Sequence, residues 1–198
     1  MINKARQTIT FGAATVPVRT YAVGLSYTLA PLATASSGLA VSYASTTPNI
    51  CDISGTTVTV QAAGLCTIEA SQDGNALYFS ATDAQQSTTI NPAAQSITFP
   101  AKVPQSYVPN GLFAINPPAT ATSGLTVEYA STTPGVCMTA GTDVMIGSVG
   151  TCSITASQTG DQNYTAATPV NRDIAINAVA PGPPLLNETL DSDGTTRL

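Results

Sequence analysis

The chain has 198 residues, of which 43% are hydrophobic and only 9% charged, with a net charge of −5. It is apolar enough to bury real cores and too weakly charged for disorder, its charged share lying far below the roughly 25% of an ordinary soluble domain. Its six Lys and Arg residues form no basic stripe, which argues against nucleic acid or anionic membrane surfaces as partners; no stretch reaches the roughly 20 apolar residues of a transmembrane helix.

The opening MINKARQTITFGAATV has the basic start of a secretion signal but no unbroken apolar segment of sufficient length. Residues 1–6 are therefore read as a leader. Two origins stay open: a piece of a longer secreted protein, or a chain made without a secretion signal. Thr8–Phe11, Val41–Ala44, Thr57–Val60 and Thr67–Ala70 are short alternating runs rich in β-branched and aromatic residues, and each predicts a strand. Turn signals separate them at Ser36–Gly38, Thr46–Asn49, Ser54–Thr56, Ala62–Gly64 and Asp73–Asn75. CDISGTTVTV (Cys51–Val60) predicts a hairpin, with Ser54-Gly55 supplying the positive φ of a tight turn. Many short strands and no helical period imply an all-β sandwich.

The pattern then starts again. YASTTP occurs at Tyr43–Pro48 and at Tyr129–Pro134. Cys51 and Cys137, Cys66 and Cys152, Tyr78 and Tyr164, and Asn91 and Asn177 are each 86 residues apart, whereas QTITF (Gln7–Phe11) and QSITF (Gln95–Phe99) are 88 apart. A loop between that strand and the shared SGL (Ser37–Leu39, Ser123–Leu125) absorbs the difference. The chain is a duplication. It predicts two domains, residues 7–91 and 95–177, each of a size normal for a small β-sandwich. Residues 92–94 are a stiff linker, and 178–198 a Pro-rich, polar tail without strand pattern.

These phrases carry a resemblance. QTITF, SSGLAVSYASTTPNIC, ISGTTVTVQAAGLCTIEASQDGNALY and STTIN resemble the bacterial immunoglobulin-like (Big-type) repeats found in tandem in large secreted and surface proteins. QSITF, TSGLTVEYASTTPGVC, SVGTCSITASQTGDQNYTAATPV and IAIN match in the second copy, so the resemblance spans Gln7 to Asn177. It implies two tandem immunoglobulin-like sandwiches acting as spacers or presentation modules, and says little about a ligand. The first copy departs at ALYFSAT, where the second reads QNYTAAT; the second departs at MTAGTDVMIG, where the strand pair is expected to be less regular.

The four cysteines form two pairs of spacing 15. Three pairings are possible, and duplication favours Cys51–Cys66 with Cys137–Cys152, against a competing reading of four free core thiols. Disulfides would place the chain in an oxidising or extracellular setting. Zinc fits poorly, because the chain has no His and no clustered ligands. The missing His also removes the commonest general base, the Ser and Thr residues show no activating partner, and no catalytic residue, metal or cofactor is expected.

Asp73, Asp161 and Asp173 are candidate calcium ligands set against plain turn-forming aspartates, while Asp191-Ser-Asp193-Gly194 is an incomplete EF-hand loop. Tyr78 and Tyr164 follow Gly/Asn/Asp turns in register, and Tyr43 and Tyr129 sit in YASTTP. All four are read as structural, their hydroxyls bonded to nearby backbone, rather than as sugar-stacking. A Lys–Asn crosslink is discounted because Lys4 and Lys102 occupy non-equivalent positions.

The leading expectation is a non-enzymatic structural and adhesive module, extracellular or on a bacterial surface, whose partners are other such repeats, a surface protein, or a host protein or glycan. The alternatives are a phage virion decoration or tail-associated protein, supported by the plain Met start, and a glycan-binding module.

Overall fold

The computed structural model describes residues 3–180. Among them, every regular element is a strand, as the short alternating runs rich in β-branched residues lead one to expect. The first copy contains β1 (Ile9–Thr10), β2 (Val18–Thr20), β3 (Ser26–Thr28), β4 (Thr34–Ala35), β5 (Ser42–Ser45), β6 (Cys51–Ser54), β7 (Thr57–Val60), β8 (Gly64–Ser71) and β9 (Ala84–Asn91). The second contains β10 (Ile97–Thr98), β11 (Gln105–Ser106), β12 (Leu112–Ala114), β13 (Thr120–Ala121), β14 (Glu128–Ser131), β15 (Cys137–Ala140), β16 (Asp143–Ile146), β17 (Gly150–Ser157) and β18 (Val170–Asn177).

In the first copy a four-stranded sheet runs β2-β9-β8-β5, a three-stranded sheet runs β3-β7-β6, and β1 pairs with β4. The second copy repeats this order as β11-β18-β17-β14, β12-β16-β15 and β10-β13. β2 joins β9 in parallel, as β11 joins β18, and the other ladders are antiparallel. The strand order places β9-β8-β5 as the G-F-C strands and β3-β7-β6 as the B-E-D strands of an immunoglobulin-like sandwich. The two-residue difference between copies falls between Phe11 and Arg19, seven residues against the five between Phe99 and Gln105, which faces Ile176 as Arg19 faces Ile90.

Contact clustering divides the chain into two compact units that do not coincide with the copies. Of the described residues, unit 1 comprises 3–98, Thr120–Val127 and Ser157–Pro169; unit 2 comprises Phe99–Ala119, Glu128–Ala156 and 170–180. Leu29, Cys51, Val58, Val60, Cys66, Ile68 and Ile90 pack as the core of unit 1, with Phe11, Tyr27 and Tyr43 against them. In unit 2 the buried set includes Phe99, Ile115, Cys137, Val144, Ile146, Cys152, Ile154, Ile174 and Ile176. Burying one such aliphatic or aromatic side chain contributes about 1.5–3 kcal/mol.

Two expectations need correction. The hairpin turn of the first copy is Gly55-Thr56, not Ser54-Gly55. Ser54 is still in the ladder, opposite Thr57, and only Gly55 has a positive φ, at 60°. A single positive φ at the first central residue matches a type II′ turn, whose twist suits paired strands. The second copy's hairpin is no less regular than the first. Cys137 faces Ile146 and Ala140 faces Asp143, the register of Cys51 with Val60 and Ser54 with Thr57, and Gly141 has φ 61°.

Candidate functional site

The cysteines join the two sheets of each sandwich. Cys51 on β6 bonds Cys66 on β8, and Cys137 on β15 bonds Cys152 on β17, with Cα separations of 5.6 and 5.5 Å. In strand terms the bridge is D to F, not the B to F bridge of antibody domains. YASTTP builds the corner around it. Thr47 Oγ1 accepts from Thr67 N at 2.9 Å, and Cys51 N donates to Thr47 O at 3.0 Å. Ser45 Oγ donates to Cys51 O at 2.7 Å and accepts from Thr47 N at 3.1 Å. Thr133 Oγ1 likewise accepts from Ser153 N at 2.9 Å, and Cys137 N donates to Thr133 O at 3.0 Å. These hydroxyls are spent on backbone, which leaves them poor candidates for nucleophiles.

Tyr43 and Tyr129 complete the same corner. Ala33 N donates to Tyr43 Oη at 2.8 Å and Ala119 N to Tyr129 Oη at 2.7 Å. Their rings lie 5.9 Å from Phe11 and 5.6 Å from Phe99. Tyr78 and Tyr164 are placed through backbone instead. Each forms a bridge, with Ala5 and Ala93 respectively, and each amide donates to a turn side chain, Asn75 Oδ1 at 3.0 Å or Asp161 Oδ1 at 2.9 Å.

A part-buried glutamine network was not anticipated from the sequence. Gln7 Nε2 donates to Gln72 Oε1 and to Phe79 O, both at 2.7 Å, and Ser37 Oγ donates to Gln7 Oε1 at 2.5 Å. Gln95 repeats it, donating to Gln158 Oε1 and Thr165 O at 2.8 Å and accepting from Ser123 Oγ at 2.5 Å. The first letter of QTITF, the Ser of SGL and the Gln of SQ thus form one network, which explains why all three phrases are written twice. The amide of Gly74 donates to Gln72 Oε1 at 2.6 Å, and that of Gly160 donates to Gln158 Oε1.

Gly74 has φ 80°, and a Cβ there would strike the Tyr78 carbonyl; Gly38 has φ 74° but open space around it. Gly74→Ala is therefore expected to cost over 2 kcal/mol, and Gly38→Ala only about 1 kcal/mol of left-handed strain. Urea denaturation of both variants checks the difference. Equal costs would contradict it.

The charged candidates are dispersed. Asp161 Oδ1 caps its own turn by accepting from Asn163 N at 2.8 Å and from Tyr164 N; the first copy uses Asn75, not Asp73, in that role. Asp173 Oδ1 accepts from Ser153 Oγ at 2.6 Å. Among the described residues, no three His, Cys, Asp or Glu side chains converge to hold a metal. Asp191 and Asp193 lie outside those residues. Lys102 donates to Pro117 O beside the Phe99 ring, 5.3 Å away, and desolvation lowers its pKa. Lys4 lies 6.0 Å from the centroid of the Phe79 ring.

What remains exposed and distinctive sits where the copies differ. Leu77 and Phe79, of the divergent ALYFSAT, are more than half exposed. Arg6, Gln7, Thr8, Phe79, Ser80 and Thr82 line a shallow groove of about 460 Å³. Elsewhere in unit 1, Ala63 N donates to Asn163 Oδ1 at 2.8 Å, and Gln162 Nε2 donates to Ala63 O at 2.8 Å. The Tyr21 and Tyr164 rings meet edge to face at 5.7 Å.

No family model matches the chain, and no curated protein matches its sequence. Among solved structures it is similar to an EC1–3 fragment of Drosophila N-cadherin, at 11% identity and TM-score 0.32, over 90% of this chain and 70% of that one. It is also similar to a C-terminal intimin fragment solved with the intimin-binding domain of the translocated intimin receptor, at 16% identity and TM-score 0.30. That match covers 69% of this chain and 51% of the fragment. A third is Sidekick-1 immunoglobulin domains 1–5, at 12% identity and TM-score 0.38, over 87% of this chain and 39% of that one. Likeness at this level carries nothing about activity or partner. Strand order and the inter-sheet disulfides define the class: two tandem immunoglobulin-like β-sandwiches.

Proposed function

We propose that this chain is a non-enzymatic structural and adhesive module, a disulfide-stapled spacer or presentation unit of an extracellular or surface protein of Big type. The observation that carries the reading is how the repeated side chains are used. Gln7 and Gln95, the YASTTP hydroxyls and the four cysteines are all engaged in holding a sandwich together. No catalytic grouping or cofactor is assigned. Two disulfides favour an oxidising compartment. In this reading residues 7–91 and 95–177 are the folding domains, 92–94 their linker, and the tyrosines at 43, 78, 129 and 164 part of the scaffold. Partners are other immunoglobulin-like repeats or a surface protein.

Immunogold labelling of the intact producing culture, with antibody raised against the purified chain, tests it. Gold along the cell surface is the expected result. Gold on phage-like particles beside bare cells would overturn the surface reading in favour of a virion protein.

A further inference from the structure

Among the described residues, the contact between Tyr21, Ala63 and the Gln162–Tyr164 turn is made once, yet both of its halves are present twice. The 86-residue offset carries Tyr21 to Tyr107 and Ala63 to Val149, and carries Asn163 and Tyr164 back to Leu77 and Tyr78. The backbone at these positions is the same in both copies. Tyr21 N donates to Asn91 O at 2.8 Å and Tyr107 N to Asn177 O at 2.7 Å. Gly64 and Gly150, next to Ala63 and Val149, have φ of 144° and 138°. Tyr78 bridges Ala5 as Tyr164 bridges Ala93.

The chain thus carries one further socket and one further plug of the kind already joined within unit 1. Their side chains have changed in a consistent direction. Ala63 is 3% exposed beneath the Gln162 and Asn163 side chains, whereas Val149 is 49% exposed. Leu77, standing where Asn163 stands, is 56% exposed, and Phe79 beside it 53%. A polar clasp needs both amides correctly placed, which a covalent connection enforces. Aliphatic surfaces tolerate small displacements and gain by leaving water, which suits a contact between separate molecules.

We propose that a second copy of this chain docks here, Tyr107 and Val149 of one molecule seating against Tyr78 and Leu77 of the next. The contact is heterologous, so a pair of molecules keeps one free socket and one free plug between them, and chains grow without closing unless rotation makes a ring. Without a tether and with a small buried area, association belongs in the weak range, with Kd on the order of 100 μM. The inference rests on the presentation-module reading only in treating these ends as binding surfaces. A chain that stays monomeric overturns the pairing and leaves the labelling result unaffected.

Sedimentation velocity of the full chain, from about 10 μM to about 1 mM, is the test. The weight-average sedimentation coefficient is expected to rise with concentration. Leu77→Asp and Val149→Asp, both at exposed positions, should each abolish the rise. An equimolar mixture of the two variants should recover it as far as the dimer, because each variant retains the end that the other has lost. Unchanged far-UV circular dichroism and unchanged midpoints of urea denaturation establish that both variants are folded. A coefficient flat to the highest concentration, association that survives either substitution, or a mixture that stays monomeric would each overturn the pairing.

Discussion

Replacing Cys51 and Cys66 together with Ala is expected to destabilise the first sandwich by about 3 kcal/mol, the loop-closure entropy released when a loop of this size is opened in the unfolded chain. The bond spans a sequence separation of 15 and ties the three-stranded sheet to the four-stranded one. Both cysteines are buried, at 0% and 1% exposure, so the loss includes packing around β6 and β8. Small domains hold only about 5–15 kcal/mol of net stability, so the change removes a large fraction of it. Cys137→Ala with Cys152→Ala should behave alike, since its separation is also 15. Urea denaturation of wild type and the two double variants measures both effects. Midpoints within error of wild type would show that the staples are dispensable.

The second large effect is expected at Gln7. Its side-chain amide donates to the Phe79 carbonyl and to Gln72 Oε1, while its oxygen receives Ser37 Oγ, and the residue is 6% exposed. Gln7→Ala removes three hydrogen bonds from a part-buried site, each contributing about 0.5–1.5 kcal/mol. A total loss of about 2–4 kcal/mol follows. Gln7→Glu sharpens the point. It keeps the shape but turns two donors into acceptors facing oxygen, and is expected to cost at least as much as Ala at neutral pH. Chemical denaturation reads both variants. A Glu variant as stable as wild type would mean that the network does not hold the end of the sandwich.

The readable parts of the fold were those where polarity and geometry agree. Thr57–Val60 is a strand with the expected bounds, its Val58 and Val60 buried and its Thr residues out. Ala84–Asn91 escaped because its inward positions are Gln86, Thr88 and Ile90, two of them polar. Gln86 tolerates burial by donating to Gly12 O at 2.6 Å, a partner 74 residues away that no local pattern discloses. Val18–Thr20 and Ser26–Thr28 escaped for a different reason: each is three residues long, too short to show a period.

The candidate site divides the same way. Cysteine pairing could be read from two equal spacings. The glutamine network could not, because its members are spread across the copy, but one signal was present. Gln7, Ser37 and Gln72 recur as Gln95, Ser123 and Gln158, and polar residues repeated at matching positions are what a shared side-chain network requires. The ends of the copies were legible only as departures. ALYFSAT against QNYTAAT marked the place, and the contacts of Ala63 and Tyr21 supplied the reason.

The measurement that bears most directly on an oxidised, extracellular scaffold is thiol alkylation, followed by intact-mass analysis, of the protein recovered from its producing cells without reductant. The account predicts no alkylated cysteine before reduction and four after it, with the 51–66 and 137–152 bonds identified by proteolytic mapping. Four alkylated thiols in the protein as recovered would contradict it, placing the chain in a reducing compartment.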